Sequence, residues 1–242
     1  EHDLIDIENL EDLPVFDKGC DSSYSWSTKY KHLAHDSGVS ELADKLLAEL
    51  PYGRFVHPIT HQPQMLAITG GEPMMQQKKI KSLVNELVIR GQTPPLVTVE
   101  TNATRPLKSE LGDYLTHFYS QFEGTRWHWA MSPKLFHTSG EKDAVNLDVI
   151  FQYMDVPGST SILKFVCNGT EESWSELDSY VDEIIFWCEK SNTKAPDIWV
   201  MPVGATKEQQ KSISKIAVDA MRKGYKVATR NHSYVFGNAI GT

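Results

Sequence analysis

From about residue 64 onward, short apolar runs alternate with longer amphipathic stretches, and this alternation constrains the fold more than any other feature. Met65–Ile68, Leu96–Val99, Trp127–Met131, Ile162–Cys167, Ile198–Met201 and Lys226–Thr229 are short, rich in apolar or β-branched residues, and bounded by Gly, Pro, Asn or Ser. That pattern predicts strands. Between them, Ile80, Leu83, Val84, Leu87 and Val88 form one helical stripe, and Trp174, Leu177, Val181, Ile184, Ile185 and Cys188 form another behind an N-cap at Thr170. Ile213, Ile216, Ala217, Ala220 and Met221 repeat the pattern, with Thr206 and Gln209 at capping-box spacing and Gly224 where a C′ glycine belongs. Strand–helix–strand repetition implies parallel pairing through right-handed crossovers. About six strands are too few for a closed eight-fold barrel, so the expected fold is α/β, a partial (open) parallel β/α barrel or a doubly wound sheet. In either, ligands gather at the carboxyl ends of the strands.

Residues 1–40 read differently: an acidic opening, Glu1–Glu11, then a Ser-, Tyr- and Trp-rich stretch, Cys20–Lys31, ahead of a first helix at Glu41–Leu50. The expected organisation is a loop or insertion over 1–40 and a single barrel domain over 41–242. The chain opens Glu1-His2-Asp3 without an initiator Met, so further residues are expected upstream. A formal net charge of −8 argues against a nonspecific nucleic-acid binder, while a small anionic ligand stays compatible with a locally positive site. Apolar runs such as Ile184–Trp187 are too short to span a bilayer, and the few scattered cysteines with no visible signal peptide lead to the expectation of a reducing, cytoplasmic compartment. The cysteines, Cys20, Cys167 and Cys188, form no CxxC pair and no disulfide framework. Cys167 on a strand and Cys188 on an apolar stripe read as buried, inert thiols.

Chemistry concentrates at the strand ends. The first strand runs into Thr69-Gly70-Gly71-Glu72-Pro73, where paired glycines let a ligand approach the backbone, Glu72 offers a carboxylate to an ammonium group, and Pro73 suits a first helical turn. The second ends Val99-Glu100-Thr101-Asn102, the third Met131-Ser132-Pro133-Lys134, and the fifth Met201-Pro202-Val203-Gly204. Any one of these reads as ordinary loop chemistry; polar groups at several ends of one sheet edge read as a site. Other polar residues have plainer readings. His57 and His61 are four apart, but Pro58 and Thr60 argue against a helix, so metal binding is not expected. His128, between Trp127 and Trp129, reads as a satisfied core histidine, and Lys78, Lys79 and Lys81 as a solvated helix face.

The stretch Thr69-Gly70-Gly71-Glu72-Pro73 resembles the GGEP motif of radical S-adenosylmethionine enzymes, and Gly19-Cys20-Asp21-Ser22-Ser23-Tyr24-Ser25-Trp26 resembles the end of their cluster motif. The order that follows is similar to that of the 7-carboxy-7-deazaguanine synthases: Glu100-Thr101-Asn102, Ser132-Pro133-Lys134, Leu163-Lys164-Phe165-Val166, Met201-Pro202-Val203-Gly204, and Arg230-Asn231-His232 through Phe236-Gly237-Asn238. Residues 1–19 resemble the acidic insertion that phage-encoded members carry inside the cluster motif. The resemblance implies a partial β/α barrel and a lyase that converts 6-carboxy-5,6,7,8-tetrahydropterin to 7-carboxy-7-deazaguanine with loss of ammonia. It implies a 4Fe–4S cluster, S-adenosylmethionine and Mg²⁺ as cofactors. Cys20 would be one cluster ligand, the rest of the triad lying upstream, and Ser22 would stand at the family's magnesium-binding threonine. Gly19, Asp21, Gly70, Gly71, Glu72, Glu100, Asn102, Ser132, Pro133, Lys134, Met201, Pro202, Val203 and Gly204 would contact the cofactor. Thr69, His232 and a terminal Thr242 would contact the substrate. An external electron donor such as flavodoxin and a homodimer are implied, with neither nucleic acid nor membrane. A radical enzyme with another substrate, or a non-catalytic scaffold relative, are the alternatives.

Overall fold

The computed structural model describes residues 28–33, 36–204, 213–231 and 235. Among them, six strands form one parallel sheet in the order β1 Met65–Ile68, β2 Leu96–Thr101, β3 Arg126–Met131, β4 Ser159–Cys167, β5 Asp197–Pro202, β6 Lys226–Val227. Helices alternate with them: α1 Val39–Glu49, α2 Gln77–Ile89, α3 Ser109–His117, α4 Phe136–Ser139, α5 Leu147–Met154, α6 Glu171–Ser191 and α7 Ser214–Arg222. The fold is α/β, of the partial β/α-barrel kind. Every strand expected from the sequence is present. Several run longer than expected, because strand pairing extends into polar residues such as Glu100–Thr101 and Ser159–Ser161.

The described residues form two compact units. One comprises Asp36–Pro133 and Val145–Ile162. In it Met65 through Ile68 pair with Leu96 through Val99, and Leu96 through Thr101 pair with Arg126 through Met131. Residues paired across parallel strands point the same way. Leu66, Val97, Val99, Thr101, Trp127, Trp129 and Met131 therefore share a buried face. Ala67, Thr98, Glu100 and His128 share the other, where Ala67 and Glu100 are exposed. The buried face carries an aromatic layer. Trp129 stacks on Tyr153 of α5 at 4.5 Å, and Tyr119 meets Trp127 edge-on at 5.7 Å while its hydroxyl donates to Pro94 O. Burial raises the Tyr119 phenol well above its ordinary range and pushes Tyr114 up to about 12. In α2, Ile80, Val84 and Leu87 are buried as their spacing predicts, and so is Gln77. The Gln77 amide is fully used, donating to Met74 O and Pro106 O and accepting from Lys108 N.

The second unit comprises the described residues 28–33, Lys134–Ala144 and the described residues from Leu163 onward. Leu163, Phe165 and Cys167 alternate into its core. Helix α6 buries Trp174, Leu177, Val181, Ile184 and Cys188, but Ile185 lies off that face and is 40% exposed. The Thr170 hydroxyl accepts from Ser173 N at 3.3 Å, the expected N-cap. Helix α7 ends at Gly224 (φ 82°), with Tyr225 N donating to Ala220 O and Gly224 N to Met221 O. Its apolar stripe is shallower than the spacing predicts: Ala220 is buried, whereas Met221 is 64% exposed. The capping-box pair Thr206 and Gln209 lies outside the described residues.

Candidate functional site

At the end of β1 the chain turns through Gly70 at φ 125°, a backbone state open to glycine and strained for other residues. A Cβ placed on Gly70 would meet no atom of the described residues within 4 Å, so among them open space adjoins the main chain there. Glu72 follows in an extended conformation and caps the short 3₁₀ turn Pro73–Gln76, its Oε1 accepting from Met74 N at 2.9 Å. Pro73 stands at the first position of that turn, where a missing N–H costs nothing.

The Glu72 carboxylate also reaches the neighbouring strand. Thr101 Oγ1 donates to Oε1 at 2.7 Å and Asn102 N donates to Oε2 at 2.8 Å. The register explains the contact: Ile68 pairs with Val99, so the segments leaving β1 and β2 run side by side. Ser132 N then donates to Thr101 O at 2.7 Å, which ties the end of β3 to the same cluster. Ala103 N donates to Thr101 Oγ1, holding a turn in which Ala103 has φ 56°. Asn102 Oδ1 accepts from both Thr104 N and Thr104 Oγ1. A carboxylate has about four acceptor positions. Among the described residues three donors occupy Glu72, two on Oε1 and one on Oε2, so with respect to them Oε2 retains a position for a further donor. Tyr153 lies under this cluster. Burial, and then the negative charge of Glu72, raise its phenol above the ordinary range.

Glu72, Asn102 and Ser132 are thus brought together by hydrogen bonds, with Thr69, Gly70 and Gly71 on the turn that carries Glu72. Glu100 is exposed on the face opposite Thr101, and Pro133 is buried directly after Ser132. Lys134 belongs to the second unit and is half-buried. In that unit Met201 and Pro202 end β5, the exposed Val203 donates its N–H to Cys167 O at 2.9 Å, and Gly204 adopts φ 138°. Gly19, Cys20, Asp21, Ser22, His232 and Thr242 lie outside the described residues. Thr101 is the site residue that sequence reading passed over. The signal was there: strand alternation places this hydroxyl on the buried face, where it needs an acceptor.

Other titratable groups take structural roles. His128 Nδ1 pairs with Thr160 Oγ1 at 2.8 Å, and burial lowers the imidazole below its ordinary value. Cys167 accepts from Ser173 Oγ and Gly169 N, and burial raises its thiol, which therefore stays protonated. Cys188 is buried on α6. No group of three or more His, Cys, Asp or Glu among the described residues is arranged to hold a metal ion. No helix among them is long and apolar enough to cross a membrane.

The amino-acid end of S-adenosylmethionine fits the strand-end cluster. Its ammonium group needs an acceptor, which Glu72 Oε2 retains, and its backbone-hugging approach needs the space beside Gly70. The described residues do not supply thiolates for an iron–sulfur cluster, since Cys167 and Cys188 are buried in packed positions.

The chain is similar to a 7-carboxy-7-deazaguanine synthase of Pyrobaculum aerophilum, 25% identical over 224 residues that cover 92% of this chain and 81% of the relative. It is likewise similar to a 7-carboxy-7-deazaguanine synthase of Hyperthermus butylicus, 23% identical over 226 residues, covering 89% and 77%. No family model matches the chain. It is a distant homologue of these 7-carboxy-7-deazaguanine synthases across nearly its whole length.

Proposed function

We propose that the chain acts as a 7-carboxy-7-deazaguanine synthase, converting 6-carboxy-5,6,7,8-tetrahydropterin to 7-carboxy-7-deazaguanine with release of ammonia. The observation that supports this best is the braced carboxylate of Glu72, tied to the ends of β1 and β2 with one acceptor position left over. Distant homology along the chain to enzymes of that name agrees with it. Cys20 would help to hold a 4Fe–4S cluster, which together with S-adenosylmethionine would supply radical chemistry at this edge when bound. The chain's own residues bind and orient. Glu72 Oε2 takes the ammonium group of the cofactor, and the Gly70–Gly71 backbone lies along its amino-acid portion. Asn102 and Ser132 are carried at the same edge by bonds that leave little room for rearrangement. Such pre-organisation lets binding energy go to orientation. Thr69, exposed at the turn, faces the substrate, and Ser22 offers Mg²⁺ a hard oxygen ligand.

The test is anaerobic reconstitution followed by incubation with S-adenosylmethionine, a reductant and the carboxytetrahydropterin. The expected result is 7-carboxy-7-deazaguanine and ammonia in equal amounts, with turnover that rises on adding Mg²⁺ and a response that weakens in Ser22→Ala. A fully loaded protein that binds S-adenosylmethionine yet leaves the pterin unchanged would overturn the substrate.

A further inference from the structure

A cavity of about 380 Å³ opens in the same unit as the strand-end cluster but at the other edge of the sheet. Arg54, His57 and His61 line it from the loop that enters β1, and Gly91, Gln92 and Thr93 from the segment that enters β2. It therefore lies at the amino ends of these strands, away from Glu72.

The loop that carries the imidazoles is tightly built. Val56 and Pro63 form an antiparallel bridge, His57 N donates to Gln62 O at 3.0 Å, and His61 N donates to His57 O at 2.9 Å. His61 adopts φ 56°, a conformation few non-glycine residues hold without support. The ring of His57 is oriented by three neighbours. Its Nδ1 accepts from Ile59 N at 3.2 Å and Thr60 N at 3.0 Å, and the ring meets Tyr52 edge-on at 5.1 Å. A nitrogen that accepts two N–H groups carries no proton. The ring proton is therefore on Nε2, which is a donor and cannot be a metal ligand in that state. The spacing of His57 and His61, which in a sequence raises the question of metal, here serves the opposite chemistry.

Charge points the same way. Arg54 is exposed; its backbone N–H donates to Pro51 O, and its guanidinium makes no ion pair or hydrogen bond among the described residues. Arg90, beside Gly91, is by contrast committed to Asp44, Glu86 and Ser40. No carboxylate lines the cavity, although the chain carries 32 acidic residues against 24 basic ones. A planar guanidinium, a fixed imidazole N–H, a second imidazole, the Thr93 hydroxyl and the Gln92 amide form a donor-rich lining. Such a lining matches an oxyanion with several acceptor oxygens.

We propose that this cavity binds the phosphate group of a small phosphorylated molecule, independently of the strand-end site. The experiment titrates the full-length protein with inorganic phosphate and with glycerol 3-phosphate at constant ionic strength. Calorimetry and the imidazole and guanidinium nitrogen–proton spectra follow binding, with acetate as the comparison anion. Both phosphates are expected to saturate and to shift His57 Nε2–H and the Arg54 guanidinium. Arg54→Gln should weaken both phosphates roughly tenfold, since a charge-assisted, bidentate contact is lost. That variant breaks no bond within the fold, and Lys142→Gln, an exposed cation elsewhere, should change nothing. Binding by Arg54→Gln equal to that of the starting protein would overturn the proposal. So would non-saturating shifts, equal shifts with acetate, or a response to glycerol 3-phosphate without one to phosphate.

Discussion

Glu72 spends three of its acceptor positions on Met74 N, Thr101 Oγ1 and Asn102 N, so its substitution has a structural cost as well as a functional one. In Glu72→Gln an amide nitrogen replaces one oxygen and opposes a donor with a donor. A half-buried donor left unpaired costs about 1–3 kcal/mol, and the urea midpoint should fall accordingly. An unchanged midpoint would mean that the carboxylate does not brace the strands. His128 gives a pH prediction. Burial lowers its value in the folded state below 6.5, so the unfolded chain binds more protons as pH falls through that region. The stability it contributes is complete above about 6.5 and is lost below it as pH falls toward the folded value. Comparing urea midpoints at neutral and mildly acidic pH, His128→Asn should lose less on acidification than the starting protein. Equal losses would show that this histidine titrates alike in both states. The residue types at the strand ends were legible from the sequence. For Thr101 alternation shows a hydroxyl on the buried face in need of an acceptor, but that the acceptor is Glu72 follows only from the pairing of β1 with β2.

Helix α6 begins where the sequence predicts, behind the N-cap Thr170. An N-cap hydroxyl at Thr170, acidic residues in the first turn and Asn192 in the left-handed conformation at the end are all local signals. Thr170→Ala should cost about 1 kcal/mol, the usual worth of such a cap, measured by chemical denaturation. Gly169, one residue earlier, should cost more, for a reason no local signal contains. It has φ 83°, and a Cβ there would lie 2.8 Å from Ile216 Cγ1. Gly169→Ala is expected to destabilise by about 1–3 kcal/mol, from backbone strain and overpacking together. Part of that loss should return in the Gly169→Ala, Ile216→Ala double variant, beyond additivity of the single changes. Strict additivity would remove the contact from the account. Helices α3 and α5 were not singled out in advance. Their apolar positions span only nine and eight residues, too short a window for a period to stand out.

At the scale of the whole molecule, ligand binding at the strand-end cluster should be visible in global stability. S-adenosylmethionine at a hundred times its Kd would contribute about 2.7 kcal/mol. For a chain of this size that is roughly 5–10 °C in Tm. Gly71→Val, which would place a branched side chain where the proposed site sets the ligand against the backbone, should abolish the shift while circular dichroism reports an intact fold. A full shift in that variant would move the cofactor elsewhere. The alternation of short apolar runs with helical stripes determined by itself that this is a parallel α/β protein, because strand and helix periods are properties of neighbouring positions along one chain. It also determined which residue types crowd the strand ends. What those side chains do was decided by tertiary structure. Glu72 meets Thr101 and Asn102 across 29 and 30 residues of sequence because the Ile68–Val99 register sets the two strand exits side by side. His57 presents Nε2–H as a donor because the folded loop turns two backbone N–H groups onto Nδ1. Donor and acceptor act over about 3 Å, and only the packed chain brings groups so distant in sequence within that reach.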